Sequence, residues 1–189
     1  MTATAGRYVK AVLWDMDGTL MNSQPIWDES FRRRCQERGG TVTPEQVAGI
    51  AGASIARTRE IIAETGATES PEDPATAEVF ARIAADVGEA VRADPPILPG
   101  ARRITSMLSE IGLAQVIVTQ SPRPIVESVA HALGDVFVEL VTGDDGLPGK
   151  PTPAPYAAAI ERLGLSPEEC VVVEDSATGA ASARSNDLR

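Results

Sequence analysis

Two aspartates follow the first apolar segment of the chain at a spacing that allows both to act at one place. Asp15 and Asp17 come directly after residues 10–14, an apolar run that predicts a short buried strand, and Gly18 then permits a tight turn. In an open parallel sheet, ligands bind beyond the carboxyl ends of the strands. Carboxylates placed there can bind a divalent cation, act as nucleophiles or move a proton. Since Asp-x-Asp alone also describes an ordinary acidic turn, the assignment depends on what other segments bring to the same edge.

Three later apolar segments are also followed by polar side chains. In chain order they are 114–118 with Thr119 and Gln120, 136–141 with Lys150 in the next loop, and 170–173 with Glu174 and Asp175. Helical patterns lie between these predicted strands, so the strands should pair in parallel through right-handed crossovers. The sequence therefore predicts a doubly wound α/β sheet with all four strand ends at one edge. Carboxylates, a hydroxyl and a lysine gathered there indicate a phosphoryl-transfer site.

The segment between the first two predicted strands is helical throughout. Trp27, Phe31 and Cys35 recur every four residues in it, and residues 25–92 contain no convincing strand. The three prolines of residues 94–100 forbid a continued helix and mark a boundary. Beyond that boundary, a further helical face is predicted, formed by Ile104, Met107, Leu108 and Ile111.

These patterns predict two domains. A catalytic core should comprise residues 1–20 and 96–189, and an all-helical cap should comprise residues 21–95. Because the chain crosses between them twice, the cap is expected to open and close over the core.

Composition limits the partners and the compartment. The net charge of −10 argues against binding to nucleic acid or to an anionic membrane, since both favour basic surfaces. No apolar run is long enough to cross a bilayer, and the first ten residues lack the apolar core of a signal peptide. Cys35 and Cys170 are expected to be free buried thiols, which suits a reducing compartment. A cytoplasmic protein is therefore expected.

The motifs together resemble those of the haloacid dehalogenase-like superfamily. They are Asp15-Met16-Asp17-Gly18-Thr19-Leu20, Thr119, Lys150 in Gly-Lys-Pro, and Glu174-Asp175-Ser176 with Gly179 beyond. The resemblance covers nearly the whole chain and is strongest to the phosphatases and phosphomutases with a helical cap inserted after the first motif. It implies a Rossmann-like core and a small phosphorylated metabolite, such as a sugar phosphate, as the substrate. A monomer or weak dimer is expected.

The resemblance also implies a role for each motif residue. Asp15 would be the nucleophile that forms an aspartyl-phosphate, and Asp17 would be the general acid and base. The phosphate would be bound by Thr119, Gln120 and Lys150. Mg²⁺ would be held by Asp15, Asp175 and the carbonyl of Asp17, with Glu174 assisting directly or through water.

Several related activities compete with a phosphatase. Asp17 favours phosphate esters over haloacids, since the dehalogenase branch typically lacks a second aspartate in that role. The family's phosphonate hydrolase uses a cap lysine, and residues 21–94 contain none. A β-phosphoglucomutase-like activity is the alternative, although the positions where the mutase has a cap His and a cap Arg are here Trp27 and Ile55; Arg57 or Arg59 are then the remaining basic candidates. A non-catalytic binding relative is disfavoured because no acidic motif residue is lost.

The end of the sequence departs from the family pattern. In the family at least one more strand follows the helix after Glu174 and Asp175, and it is apparently missing from these 189 residues. Residues 171–173 are therefore expected to form an edge of the sheet, with unpaired backbone groups that favour association with another chain.

Overall fold

Strands and helices alternate along the chain, apart from five consecutive helices between the first two strands. The structure is a computed structural model that describes residues 8–188. Its elements are β1 (Ala11–Trp14), α1 (Gln24–Glu37), α2 (Pro44–Gly49), α3 (Ile55–Glu64), α4 (Pro74–Ala93), α5 (Ala101–Glu110), β2 (Ala114–Val118), α6 (Arg123–Ala132), β3 (Glu139–Val141), α7 (Ala154–Leu163), β4 (Cys170–Val173) and α8 (Ala177–Arg184).

The four strands form one parallel sheet in the order β3-β2-β1-β4. In the central strand, Leu13 pairs with Val116 on one side and with Val172 on the other. Side chains alternate between the two faces of the sheet, which α5 and α6 cover on one side and α7 and α8 on the other. The predicted α/β fold is confirmed. Within residues 8–188, β4 pairs only with β1 and is an edge strand.

Two local predictions in the core are wrong. The third strand is shorter than residues 136–141, because only Glu139–Val141 pair with β2 and Val138 is 63% exposed. Of the predicted face of α5, only Leu108 packs against the core, whereas Ile104, Met107 and, directly after the helix, Ile111 are exposed. The helix instead turns Ala101 and Thr105 inward, and the side-chain amide of buried Gln115 donates to the Thr105 carbonyl at 2.8 Å.

Helices α1–α4 form the cap and enclose an apolar core of their own, which includes Phe31, Cys35, Ile61 and Ile62. An all-helical insertion is therefore confirmed. Local signals explain where its helices begin: Thr43 forms a capping box before α2 and the Ser54 side chain caps α3. Between α1 and α4, the Arg34 guanidinium donates to both carboxylate oxygens of Asp86, at 2.8 and 2.6 Å.

Helix α4 belongs to both parts of the molecule. Val79 and Ile83 lie in the core of the cap, whereas Val87 and Val91 pack with α6 in the main core. The predicted division places the core at residues 1–20 and 96–189 and the cap at residues 21–95, and it stays a prediction. Val87 and Val91 belong to the cap by this division, yet they contact residues of the core.

The two crossings between core and cap lie side by side. Met21 and Ile97 form an antiparallel bridge, the Asn22 amide donates to the Pro96 carbonyl at 2.9 Å, and the Leu98 amide donates to the Leu20 carbonyl at 2.9 Å. Among the described residues, no helix combines the length and apolarity that a bilayer crossing needs. Both cysteines are free and buried, as predicted.

Candidate active site

Asp15 and Lys150 meet at the carboxyl edge of the sheet. Asp15 continues the pairing of β1, since its amide donates to the Val173 carbonyl at 3.0 Å, and only 8% of the residue is exposed. The ammonium of Lys150, also buried, donates to Asp15 Oδ1 at 2.7 Å. Burial raises the pKa of Asp15 to about 7; the charge of Lys150 opposes this rise and that of Glu174 adds to it. The buried carboxylate therefore requires positive charge to remain ionised at neutral pH.

Glu174 is the centre of a network of hydrogen bonds behind Asp15. Its Oε1 accepts from Lys150 and from the Tyr156 hydroxyl, the latter at 3.0 Å. Its Oε2 accepts from the Ser176 amide and hydroxyl at 3.2 and 2.9 Å. Burial works against ionisation of Glu174, but Lys150 and the hydrogen bonds from Ser176 together lower the pKa of its carboxyl. A Cβ at position 179 would collide with the Glu174 carboxylate, so Gly179 is required there.

Three carboxylates fit a divalent cation. Asp15, Glu174 and Asp175 each place one oxygen so that the three lie within 4.8 Å of one another. Asp15 Oδ2 is buried and has no hydrogen-bond partner, which leaves an anionic oxygen for a cation. A hard ion with oxygen ligands, such as Mg²⁺, suits this donor set. Because both Glu174 oxygens already accept hydrogen bonds, Glu174 is better suited to orienting Lys150 or binding through water than to direct ligation.

Asp17 is held by hydroxyl groups from both parts of the molecule. Its Oδ2 accepts from Thr119 at 3.1 Å and from Ser121 at 2.7 Å, and its Oδ1 accepts from Ser23 at the entrance to the cap. These contacts fix the carboxylate at the cavity, where a proton donor or acceptor would be needed. The side chain of Asp17 is thus not directed to the cation site, and ligation by its carbonyl stays a prediction.

Gln120 contacts the cap rather than the other predicted phosphate-binding groups. Its side-chain amide donates to the Gly52 carbonyl at 2.5 Å, and its Oε1 is buried without a hydrogen-bond partner. Gly143 and Gly149 lie against it, since a Cβ at either position would collide with Gln120. The role of Gln120 in binding phosphate stays a prediction, and the observed contact joins core to cap.

A cavity of about 400 Å³ lies between the edge of the sheet and the cap. On the core side it is lined by Asp15, Asp17, Thr119, Gln120, Lys150 and Asp175. Its cap side includes Trp27 and Ile55, the positions at which a cap His and a cap Arg are expected in the mutases. Arg57 instead pairs with Glu60 and Glu64 on the outer surface, and neither it nor Arg59 lines the cavity.

The structure therefore brings the predicted site residues to one place: all of them except Glu174 line the cavity, and Glu174 contacts Lys150. Four residues of the network were not singled out as site residues from the sequence: Ser23, Ser121, Tyr156 and Ser176. Ser176 belongs to the Glu174-Asp175-Ser176 motif, and Ser23 and Ser121 lie within six positions of a motif residue, which is the signal the sequence offers for them. Tyr156 lies inside α7, in a helical apolar pattern, and nothing local distinguishes it from a core residue.

Comparison with known proteins places the chain in a family of hydrolases. A model of haloacid dehalogenase-like hydrolases matches residues 9–187. Hexitol phosphatase A of Escherichia coli strain K12 is 32% identical over 177 residues, which cover 92% of this chain and 77% of that protein. The phosphoglycolate phosphatase of Rhodospirillum rubrum is 28% identical over 183 residues, or 93% and 75% of the two chains.

A solved structure agrees at the level of the fold. The crystal structure of CbbY from Rhodobacter sphaeroides in complex with phosphate has a TM-score of 0.80 and 23% identity, and the match covers 96% of this chain and 84% of that one. The expectation of a hydrolase is confirmed by the family model, which spans almost all of the sequence. The chain belongs to the haloacid dehalogenase-like hydrolases.

Proposed function

We propose that the protein is a Mg²⁺-dependent phosphatase that hydrolyses small phosphomonoesters through an aspartyl-phosphate on Asp15. The observation that carries this proposal is the buried Asp15 carboxylate, which borders the cavity, lies 2.7 Å from the Lys150 ammonium and has a second oxygen without a partner. The names of two relatives, a hexitol phosphatase and a phosphoglycolate phosphatase, support the same class of reaction.

In the first step, an oxygen of Asp15 attacks the phosphorus of the ester and the bond from phosphorus to the leaving oxygen breaks. Asp17 gives its proton to that oxygen, which departs as an alcohol. Thr119 and Lys150 border the cavity beside these groups and would bind the equatorial phosphoryl oxygens. The phosphoryl group is negatively charged and is repelled by the anionic nucleophile. Positioning of the reacting groups and neutralisation of this charge therefore supply most of the catalysis.

In the second step, water attacks the phosphorus of the aspartyl-phosphate. Asp17, now ionised, takes a proton from that water, and the bond between phosphorus and the Asp15 oxygen breaks to release inorganic phosphate. The hydroxyls of Ser23, Thr119 and Ser121 hold Asp17 in one orientation for both proton transfers.

Asp15 and Asp175 would hold Mg²⁺, with the Asp17 carbonyl as a further ligand and Glu174 assisting through water. A bound Mg²⁺ would neutralise charge on the transferring phosphoryl group. The carboxylates of Asp15, Glu174 and Asp175 suit this ion because they offer oxygen ligands without enclosing it completely.

A mutase is the second candidate, because the same motifs can return the phosphoryl group to a sugar. The apolar side chains of Trp27 and Ile55 at the cavity favour hydrolysis, since they offer no group to orient a phosphosugar that must turn over within the site. A non-catalytic role is disfavoured, since Asp15, Asp17 and Asp175 all border the cavity. We further propose a cytoplasmic enzyme that is a monomer or weak dimer.

The decisive experiment measures release of inorganic phosphate from a panel of monoesters, with Mg²⁺ and with EDTA. Asp15→Asn should abolish turnover, and Asp17→Asn should slow it by about 10²–10⁴-fold. Because Asp17→Asn also slows the second step, acid quenching of this variant should trap phosphate covalently on Asp15, where mass spectrometry can locate it. Absence of Mg²⁺-dependent turnover on every ester, or near-full activity of Asp17→Asn, would contradict the proposal.

A further inference from the structure

The cap side of the cavity, which we call the roof, differs chemically from the core side. The cap lines it with Trp27, Ile50, Ile55 and Phe80, and with small or uncharged polar residues between them. Among the described residues that line the cavity, Lys150 is the one cation, and it is already shared between Asp15 and Glu174. No positive charge therefore faces the part of a substrate that points away from the transferred phosphate.

No arginine is among the described residues that line the cavity, although Arg59, on the same helix as Ile55, has a buried Nε without a hydrogen-bond partner. Arg34 is bound by Asp86 between α1 and α4, and Arg57 is bound by Glu60 and Glu64 on the outside of α3. These pairs stabilise the helices and leave the guanidinium groups away from the cavity. A second anionic group on a substrate would thus enter a site with no cation for it, in a protein whose net charge is −10.

We propose that the substrate is a monophosphate whose leaving group is uncharged and largely apolar, and that the roof excludes esters with a second anionic group. This inference rests on the proposed phosphatase activity and specifies its substrate class. An apolar leaving group gains free energy by burial against Trp27 and Phe80. A carboxylate or second phosphate in the same position loses its hydration without gaining a partner, which disfavours binding.

The inference predicts that this protein hydrolyses phosphoglycolate poorly, although one of its relatives is named as a phosphoglycolate phosphatase. In phosphoglycolate, a single methylene group separates the carboxylate from the phosphate ester oxygen. The roof of this cavity offers no charged or guanidinium group to receive that carboxylate. Hydroxyl-rich leaving groups are intermediate, because Gln24 and Thr58 also line the cap side and can form a few hydrogen bonds.

The test compares matched esters with the wild-type enzyme and Mg²⁺. One pair is 4-methylphenyl phosphate and 4-carboxyphenyl phosphate, and the other is 2-hydroxyethyl phosphate and 2-phosphoglycolate. We expect kcat/KM to be about 10²-fold or more in favour of the uncharged member of each pair, because an unpaired charge must be desolvated. Equal hydrolysis within both pairs would overturn the inference and leave the phosphatase proposal intact. Failure of all four esters with turnover of another ester of the panel would also overturn the inference alone, whereas failure of the whole panel would overturn both.

The two esters of a pair also differ in intrinsic reactivity, and a comparison between variants removes this difference. Ile55→Arg places a cation at the roof, and the ratio of the two kcat/KM values in each pair should then shift at least about tenfold toward the carboxylated ester. Ile111→Arg, at a 72% exposed position directly after α5, adds the same charge outside the cavity and should leave the ratio unchanged. An unchanged ratio in folded Ile55→Arg, or an equal shift in Ile111→Arg, would contradict a role for the roof.

Discussion

The Lys150 ammonium lies 2.7 Å from Oδ1 of Asp15, although 135 positions separate the two residues in the chain. The same nitrogen contacts Glu174, so a single cation lies between two carboxylates in a nearly buried site. Since like charges there would repel each other and an incoming phosphate, this lysine determines whether the site can accept an anion at all.

Replacing Lys150 should therefore lower both activity and stability. For Lys150→Met we expect kcat to fall by about 10²–10³-fold, the range seen when a charge-stabilising donor is removed from an active site. The melting temperature should also fall, because Asp15 and Glu174 then face each other without a cation. The other lysine of the chain provides the control: Lys10→Met removes an exposed ion pair with Glu169 and should leave kcat unchanged. Wild-type turnover by folded Lys150→Met would refute the assignment.

Tyr156 should act on the cation site through Glu174. In Tyr156→Phe the hydroxyl that donates to Glu174 Oε1 is lost, while the buried ring remains. We expect about 10-fold weaker Mg²⁺ binding, measured by calorimetry or by the Mg²⁺ dependence of kcat, since removal of a group that orients a ligand typically has an effect of this size. At saturating Mg²⁺, kcat should recover. Tyr8→Phe, which alters a 79% exposed residue, is the matched control; a similar loss there, or none in Tyr156→Phe, would count against this role.

Gln120 should act on cap closure. Its contact with the Gly52 carbonyl joins the core to the cap, so Gln120→Ala is expected to favour the open state. KM should rise several-fold while kcat at saturation changes little, and the fluorescence of Trp27 at the cavity should report a smaller change on addition of Mg²⁺ and vanadate. Gln36→Ala, on the exposed surface of α1, serves for comparison. A fall of 10²-fold or more in kcat with KM unchanged would instead indicate direct stabilisation of the transferring phosphoryl group.

Asp86 should make the cap sensitive to acid. The side-chain contacts with Arg34 hold the pKa of this carboxyl well below its usual range, helped by Ser30 and Arg33 and opposed by partial burial. Because the folded pKa is lowered, the contribution of Asp86 to stability is present above the unfolded pKa of about 4 and is lost as the pH falls below it. Denaturation curves at pH 7 and pH 3 should show a smaller difference for Asp86→Asn than for wild type. Glu78→Gln, which alters exposed ion pairs, should reproduce the wild-type difference.

Most of the site could be predicted because its residues follow strands directly. Strand ends in a parallel sheet converge on one edge, so the positions of Asp15, Thr119 and Asp175 follow from strand order alone. Tyr156 could not be predicted in this way, since it reaches Glu174 from the middle of α7 and depends on how that helix packs on the sheet. Thr119 also illustrates the limit, because its partner Asp17 was not apparent from the sequence.

Helix α5 shows that the spacing of apolar residues does not decide which face of a helix packs on the sheet. Ile104, Met107 and Ile111 are exposed despite their helical spacing, whereas Leu108 packs against the core together with the buried Ala101 and Thr105. The small Ala101 and the Thr105 carbonyl, which accepts from Gln115, permit a close approach of helix to strand that larger side chains would prevent. The face that packs on the sheet depends on the shape of the sheet surface. The spacing of apolar residues in the helix carries no information about that shape.

The pairing of Met21 with Ile97 makes the cap an exchangeable module. Because the chain leaves and re-enters the core at neighbouring points, a segment of almost any length can occupy that place without changing the order of β1 and β2. Selectivity can then be transplanted between related proteins by joining a foreign insertion at these two positions, while the carboxylates of the sheet keep their chemistry. Val87 and Val91 pack on α6, so a transplanted segment must supply apolar side chains at that place. Otherwise the apolar surface of α6 becomes exposed and favours aggregation.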